Sequence, residues 1–422
     1  YYQEFERAWT KFREFEADRD IQEIFQNPEA GRNRDFLDVL RGVRDSERSA
    51  QETLLVETND REYFSRGIQS AVRWQTATGA LDHEVRAGVR FHQDEVERDH
   101  SDQGFLMRSA RLEADGDSVD TLQNRETADA LALFVQDEIR AGRLSVTPGV
   151  RVETVDYEST DLSSGQTLTN DNTEVLPGLG AFYQWTPRLG VLAGVHRGFV
   201  PTGPAVDDDV DPEESVNYEA GFRYAGQGLN GELIGFFNDY SNLLGACSLS
   251  ASCSDPTGVF NGGEVNVYGF ESRLAVNPRV TDGITAPVTL AYTYTETEFQ
   301  NDFSSAFPLW REVEQGDRLP YMPRHRVGLS VGLSASNWDT TLKMAFRSEQ
   351  KEQSGEGGPL EGATVPSYAV FDWKNRWQFS RDQEVYLNVN NLFDRDYLLS
   401  RRPTGARPGQ PRTLKAGYKL SF

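Results

Sequence analysis

Apolar and polar side chains alternate with a period of two along most of this chain, in runs of roughly ten residues. In residues 84–94, Val85, Ala87, Val89 and Phe91 share one face, and Arg86, Gly88, Arg90 and His92 share the other. The same division recurs with Val216, Tyr218, Ala220, Phe222 and Tyr224, with Val288, Leu290, Tyr292 and Tyr294, and with Val327, Leu329, Val331 and Leu333. The last run sets Leu414, Ala416, Tyr418, Leu420 and Phe422 against Lys415, Gly417, Lys419 and Ser421. Such runs predict β-strands with one apolar face.

Short turns fall near 77–81, 141–143, 187–188, 225–228, 334–337 and 380–383. They alternate with long polar connections near 16–62, 98–126, 158–173, 200–214, 246–262, 299–323, 349–365 and 391–412. A soluble sandwich also buries alternate residues, but it has no reason to gather every long connection at one end. A transmembrane antiparallel β-barrel does, with short turns on the periplasmic side and long loops outside. The pattern predicts an all-β protein with about 16 strands that begins and ends on the short-turn side. In the longest connection, FLDVLRGVRDSE sets Phe36, Leu37, Val39 and Leu40 at helical spacing, which predicts a short helix over the barrel mouth.

Composition narrows the choice. Hydrophobic residues make up 37% and mean hydropathy is -0.59, without an apolar run of about 18 residues, so helical membrane spans are excluded while a barrel is not. The net charge of -23 argues against nucleic acid as a partner, because phosphate binding needs a basic face. Acidic residues such as Asp207, Asp208, Asp209, Asp211, Glu213 and Glu214 crowd the predicted loops, as suits solubility or a setting rich in salt or divalent cations. Cys247 and Cys253 stand in a C-x5-C spacing within a Ser-rich loop and have no zinc-ligand companions, which predicts a disulfide in an oxidising compartment. The five histidines form no metalloprotease pattern, and no nucleophile elbow or phosphate-binding glycine loop is present, so no catalytic site and no enzyme is expected.

If the apolar rows face lipid, the opposite rows line the interior, and that lining is polar and rich in arginine. Near the outer mouth it includes Arg90 and His92 on the third strand, Arg151 on the fifth, Arg326 on the twelfth and Arg347 on the thirteenth. Guanidinium groups in a confined vestibule suit a polycarboxylate, which arginine pairs bidentately. The plainer alternative is that they pair with interior carboxylates such as Glu153 and Asp94. Arg197 stands in phase with the lipid face, where it would meet lipid phosphates unless a bulge turns it inward.

The terminal stretch LNVNNLFDRDYLLSRRPTGARPGQPRTLKAGYKLSF, with Asn391 to Asp394, Tyr397, Gly409, Pro411, Arg412 and Phe422, resembles the C-terminus of TonB-dependent receptors. RGFVPTGP and EESVNYEAGFRY are similar to a rim loop and following strand of that family. HEVRAGVRFHQDEVERDH, GFFNDYSNLLGACSLSASC and FNGGEVNVYGFES resemble its ferric dicitrate branch. The resemblance implies import of a ferric chelate, ferric dicitrate or a related anionic siderophore, across the outer membrane of a Gram-negative bacterium. Cobalamin, a carbohydrate or passive diffusion are the alternatives. It also implies TonB as energy partner and outer-membrane lipid and lipopolysaccharide as surroundings. Iron would arrive inside its chelate, so neither a cofactor nor a protein metal ligand is expected.

By the same resemblance the chelate meets loop and upper-wall cations, for which the candidates are Arg41, Arg44, Arg90, His92, Arg151, Arg401, Arg402 and Arg407. The family barrel has roughly 22 strands around a globular plug. The chain opens YYQEFERAWTKF, with no leader, plug or TonB box, so it reads as the C-terminal barrel portion of such a receptor.

Overall fold

The alternating runs become a single antiparallel sheet of twenty strands in the computed structural model. The structure describes every residue except 18, 204–210, 248–252, 254–257, 359, 403–404 and 422, so Asp207 to Asp209 and Phe422 lie outside the described residues. Four of the twenty strands, at 19–20, 111–114, 279–281 and 284–285, are stubs of two to four residues. The others form the wall. They are β1 (Tyr2–Phe15), β2 (Leu54–Thr78), β3 (Leu81–Arg108), β4 (Val119–Ala141), β5 (Leu144–Asp161), β6 (Thr167–Gln184), β7 (Leu189–Val200) and β8 (Glu213–Gly226), followed by β9 (Leu229–Ser241), β10 (Val265–Val276), β11 (Val288–Phe299), β12 (His325–Ser334), β13 (Trp338–Arg347), β14 (Tyr368–Ser380), β15 (Gln383–Asn390) and β16 (Thr413–Leu420). Each pairs with the next in the chain. Among the described residues no ladder joins β1 to β16, so each presents an unpaired edge.

The outer surface carries the apolar rows. Ile68 stands opposite Phe91, which stands opposite Leu131, and Val89 is likewise followed by Leu133 and Val152 on the next two strands. These side chains are exposed, Ile68 at 74% and Leu133 at 52%. A continuous apolar band of this kind belongs in hydrocarbon. Aromatic rings mark its two margins. Toward the long loops, Tyr218, Phe237 and Tyr268 follow one another at 6.3 Å spacings, and Phe270 lies 5.5 Å from Tyr292. Toward the short turns, Trp377, Phe379 and Tyr418 form a second row. No described helix is long and apolar enough to cross a membrane.

Two predicted connections are strand instead of loop. β3 runs on to Arg108 and β4 begins at Val119, and only residues 162–166 separate β5 from β6. Above the apolar band both faces of these strands are polar, so the hydrophobic period vanishes while the ladder continues. Cross-strand ion pairs such as Arg98–Glu126 at 2.7 Å and Arg125–Glu97 at 2.6 Å accompany it. A seventh short-side connection, at 277–287, is not among the predicted turns; its Asp282-Gly283 pair, with Gly283 at φ +82°, closes the small 279–281/284–285 ladder.

The long connections hold their own cores. The predicted helix forms as α2 (Asn33–Leu40), preceded by α1 (Ile21–Gln26). Phe36, Leu37 and Val39 of α2 pack with Ile24 of α1 and with Phe15, Leu54 and Met107, the outer ends of β1, β2 and β3. A second cluster gathers Val265, Val267, Phe299, Phe307, Trp310 and Val313, with Cys247 and Cys253 against it. The two cysteines are joined as predicted. Arg197 is taken up by carboxylates: it ion-pairs with Glu214 on β8 and lies 3.5 Å from Glu174 on β6.

Candidate functional site

Alternation along β3 turns Arg90 and His92 to the inner face, opposite Ala132 and Ala130 of β4, and Ala132 in turn faces Glu153 of β5. Arg90 therefore stands two strand spacings, about 10 Å, from Glu153. Arg151 donates to Glu153 at 2.6 Å. Arg90 donates to the Tyr1 hydroxyl at 3.1 Å, and that hydroxyl also contacts His92 Nδ1. The other ring nitrogen of His92 lies 2.6 Å from Asp94. Further out on the same side, a cavity of about 360 Å³ opens, lined by Phe5, Tyr63, Asp94, Val96, Glu126 and Tyr157 among others. Phe5 stacks on Tyr63 with centroids 4.6 Å apart.

The loop candidates fall in two groups. Arg44 donates to the buried carboxylate of Glu52 at 2.6 Å, and Arg32 joins it there at 2.8 Å. Arg41, just past α2, is exposed with no side-chain partner among the described residues. Across the mouth, Glu352 is fully buried. It accepts from the Tyr321 hydroxyl and from the Arg401 backbone N–H at 3.0 Å, and the Arg401 guanidinium lies 3.5 Å away. Burial and the Glu352 hydrogen bond push the Tyr321 phenol well above its usual range, so it stays a donor. Arg402 is buried and donates to the Pro308 carbonyl at 2.8 Å. Arg407 is exposed, on the small ladder that pairs residues 398–400 with 407–408. The two groups approach one another through Gly405, where a methyl would lie 3.3 Å from Phe25 of α1.

The known proteins place this architecture. The profile of the family described as TonB dependent receptor-like, beta-barrel matches residues 7–392. The chain belongs to the TonB-dependent receptor β-barrel family. Among curated relatives, the metal-pseudopaline receptor CntO of Pseudomonas aeruginosa is 27% identical over 368 residues, covering 82% of this chain and 49% of that protein. The ferrichrome outer membrane transporter/phage receptor of Escherichia coli is 25% identical over 279 residues, covering 64% and 34%. The chain thus spans about half the length of CntO, the relative it matches over the longer stretch. Among solved structures, the unliganded ferric citrate transporter FecA superposes with a TM-score of 0.68 at 22% identity, over 88% of this chain and 57% of FecA. The siderophore receptor PiuA of Acinetobacter baumannii gives 0.69 at 18%, over 87% and 57%. Those two likenesses establish the fold, and a barrel of this family resides in the outer membrane of a Gram-negative cell.

In this TonB-dependent receptor barrel, most of the predicted cations are tied to the protein's own wall and loop groups. Arg44, Arg151 and Arg401 have carboxylates, His92 has Asp94, Arg90 has Tyr1, and Arg402 has the Pro308 carbonyl. Sequence reading missed Arg32, Glu52, Tyr321 and Glu352, of which the two carboxylates are the buried groups that the loop arginines meet. They sit in irregular segments of a chain rich in acidic residues, where no spacing distinguishes a buried carboxylate from a solvated one.

Proposed function

We propose that this receptor imports a metal held in an anionic chelate, ferric dicitrate or a related polycarboxylate siderophore, with TonB supplying the energy. The observation that carries the reading is membership of the receptor barrel family joined to cations at the outer mouth, of which Arg41 and Arg407 are exposed beside loops already built around buried carboxylate–arginine clusters. The neighbours support a chelated metal, being named for metal-pseudopaline, ferrichrome and ferric citrate. The chelate would enter from the long-loop side. The outer aromatic row would lie among lipopolysaccharide and the inner row among phospholipid. Iron would travel inside its ligand and touch no protein donor.

Uptake of radiolabelled iron by cells carrying the receptor tests this. Ferric citrate should be accumulated in a TonB-dependent manner, and excess ferrichrome, cobalamin or oligosaccharide should not compete. Uptake that persists without TonB would overturn the energy-coupled reading in favour of a passive barrel. TonB-dependent uptake of only a neutral chelate, cobalamin or a carbohydrate would overturn the anionic cargo.

A further inference from the structure

We infer that Arg326 and Arg347 form an anion subsite at the outer end of β12 and β13, on the inner face, and that it takes a carboxylate group of the cargo. The two arginines are directly opposite one another in the β12–β13 ladder. Like charges placed so repel, and the sheet is destabilised unless something neutralises them. Where Arg73 opposes Arg86 the wall supplies that neutralisation itself, through Glu84. Where Arg7 opposes Arg61 no carboxylate lies within 4.0 Å among the described residues, but Arg61 is engaged by Asn59, Tyr63 and His100. Arg326 and Arg347 have no carboxylate within 4.0 Å among the described residues, in a protein with 66 acidic and 43 basic residues. Unlike Arg61, neither of these guanidinium groups donates a hydrogen bond to another group among the described residues, so both keep their donors for an anion from outside.

The surroundings fit a planar, multiply charged guest. Arg347 lies 6.0 Å from the Tyr368 ring centroid, and this cation–π contact fixes the guanidinium without consuming its hydrogen-bond donors. Tyr368 faces Tyr397 at 4.6 Å. Both rings line a cavity of about 650 Å³ beside the last outer loop, to which Arg395 and Asp396 also contribute. Two guanidinium planes can hold a carboxylate pair or a phosphate by paired N–H donors. The subsite deepens the chelate reading and rests on it for the identity of the guest, though the uncompensated pair does not depend on it.

Two measurements on the receptor purified from outer membranes test the subsite. Thermal melts in citrate, in inorganic phosphate and in chloride at equal ionic strength should show a rise in midpoint with citrate that exceeds the rise with phosphate. The citrate rise should vanish in Arg326→Gln and in Arg347→Gln, whose folding is checked by heat-modifiable gel mobility. Ferric citrate affinity should fall at least about tenfold in each variant, while ferrichrome titrated in parallel should respond alike in all three proteins. Wild-type citrate response and ferric citrate affinity in the folded variants would overturn the subsite. A response to phosphate alone would overturn its carboxylate assignment. An arginine-dependent citrate response without any ferric citrate uptake would leave the subsite standing and sink only the transport reading.

Discussion

Arg402 reaches from the last outer loop to the carbonyl of Pro308, donating at 2.8 Å, and so ties residues 391–412 to residues 300–324. Beside that contact Trp310, only 3% exposed, is seated against Gly245 and Gly262, where an added methyl would lie within 3 Å of its ring. Its carbonyl accepts from Gly355 N–H at 2.9 Å. Loops from two outer connections therefore share one core, two more are hydrogen-bonded to it, and the cap they form should open as a unit.

Trp310→Ala should dissolve that unit. Loss of a buried Trp costs on the order of 3–5 kcal/mol, here confined to the loops. Hydrogen exchange within 242–264, 300–324 and 348–367 should rise together while the wall strands stay protected. Exchange that rises in one loop only would contradict a shared core.

Arg402→Ala leaves the Pro308 carbonyl without that donor, at a cost of about 1–3 kcal/mol. Limited proteolysis at the outer loops should accelerate, and the far side of the mouth around α2 should be unaffected, since its core is separate.

His100 is 1% exposed on β3, above the apolar band, with Arg61 Nε 3.4 Å from its ring and Arg98 and Asp99 beside it. Burial foremost, then Arg61 and Arg98, lower its pKa to about 4 from the ordinary imidazole value of 6.5. The folded state thus binds fewer protons than the unfolded one between those values, so stability rises with pH across the window. The contribution is complete above pH 6.5 and lost as pH falls toward 4. It is on the order of 1–3 kcal/mol. Exchange at residues 98–102 should increase between pH 7 and pH 4.5 in the wild type, and His100→Gln should flatten that dependence.

Leu133→Arg places a charge on the outward apolar band and should destabilise the barrel by about 2–4 kcal/mol. Asn238→Arg, turned inward on β9, should cost under about 1 kcal/mol in the same urea-unfolding assay in lipid vesicles.

The wall was legible in the sequence because hydrocarbon outside and water inside impose a period of two that survives in every strand from Val85 to Leu420. Where both faces meet water, as at Asp99 and Glu158, nothing marked strand from loop, and the outer ends of β3 to β6 were read too short. The disulfide was legible because Cys247 and Cys253 had no other chemistry to serve. The site was only half legible. Interior arginines could be named from their phase, but the alternation does not say which carboxylate meets which arginine. Arg151 is occupied by Glu153 two residues along its own strand, while Arg326 and Arg347 meet each other, a relationship set by strand register alone.

The most direct test is depth and side accessibility at consecutive residues of β4, residues 130–135, in lipid bilayers. Spin labels at single cysteines should alternate: Leu131, Leu133 and Val135 relaxed by oxygen dissolved in the lipid, and Ala130, Ala132 and Phe134 by an aqueous nickel complex. Uniform shielding of both sets, as in a protein core packed away from lipid and water, would contradict the barrel wall and the transport reading built on it.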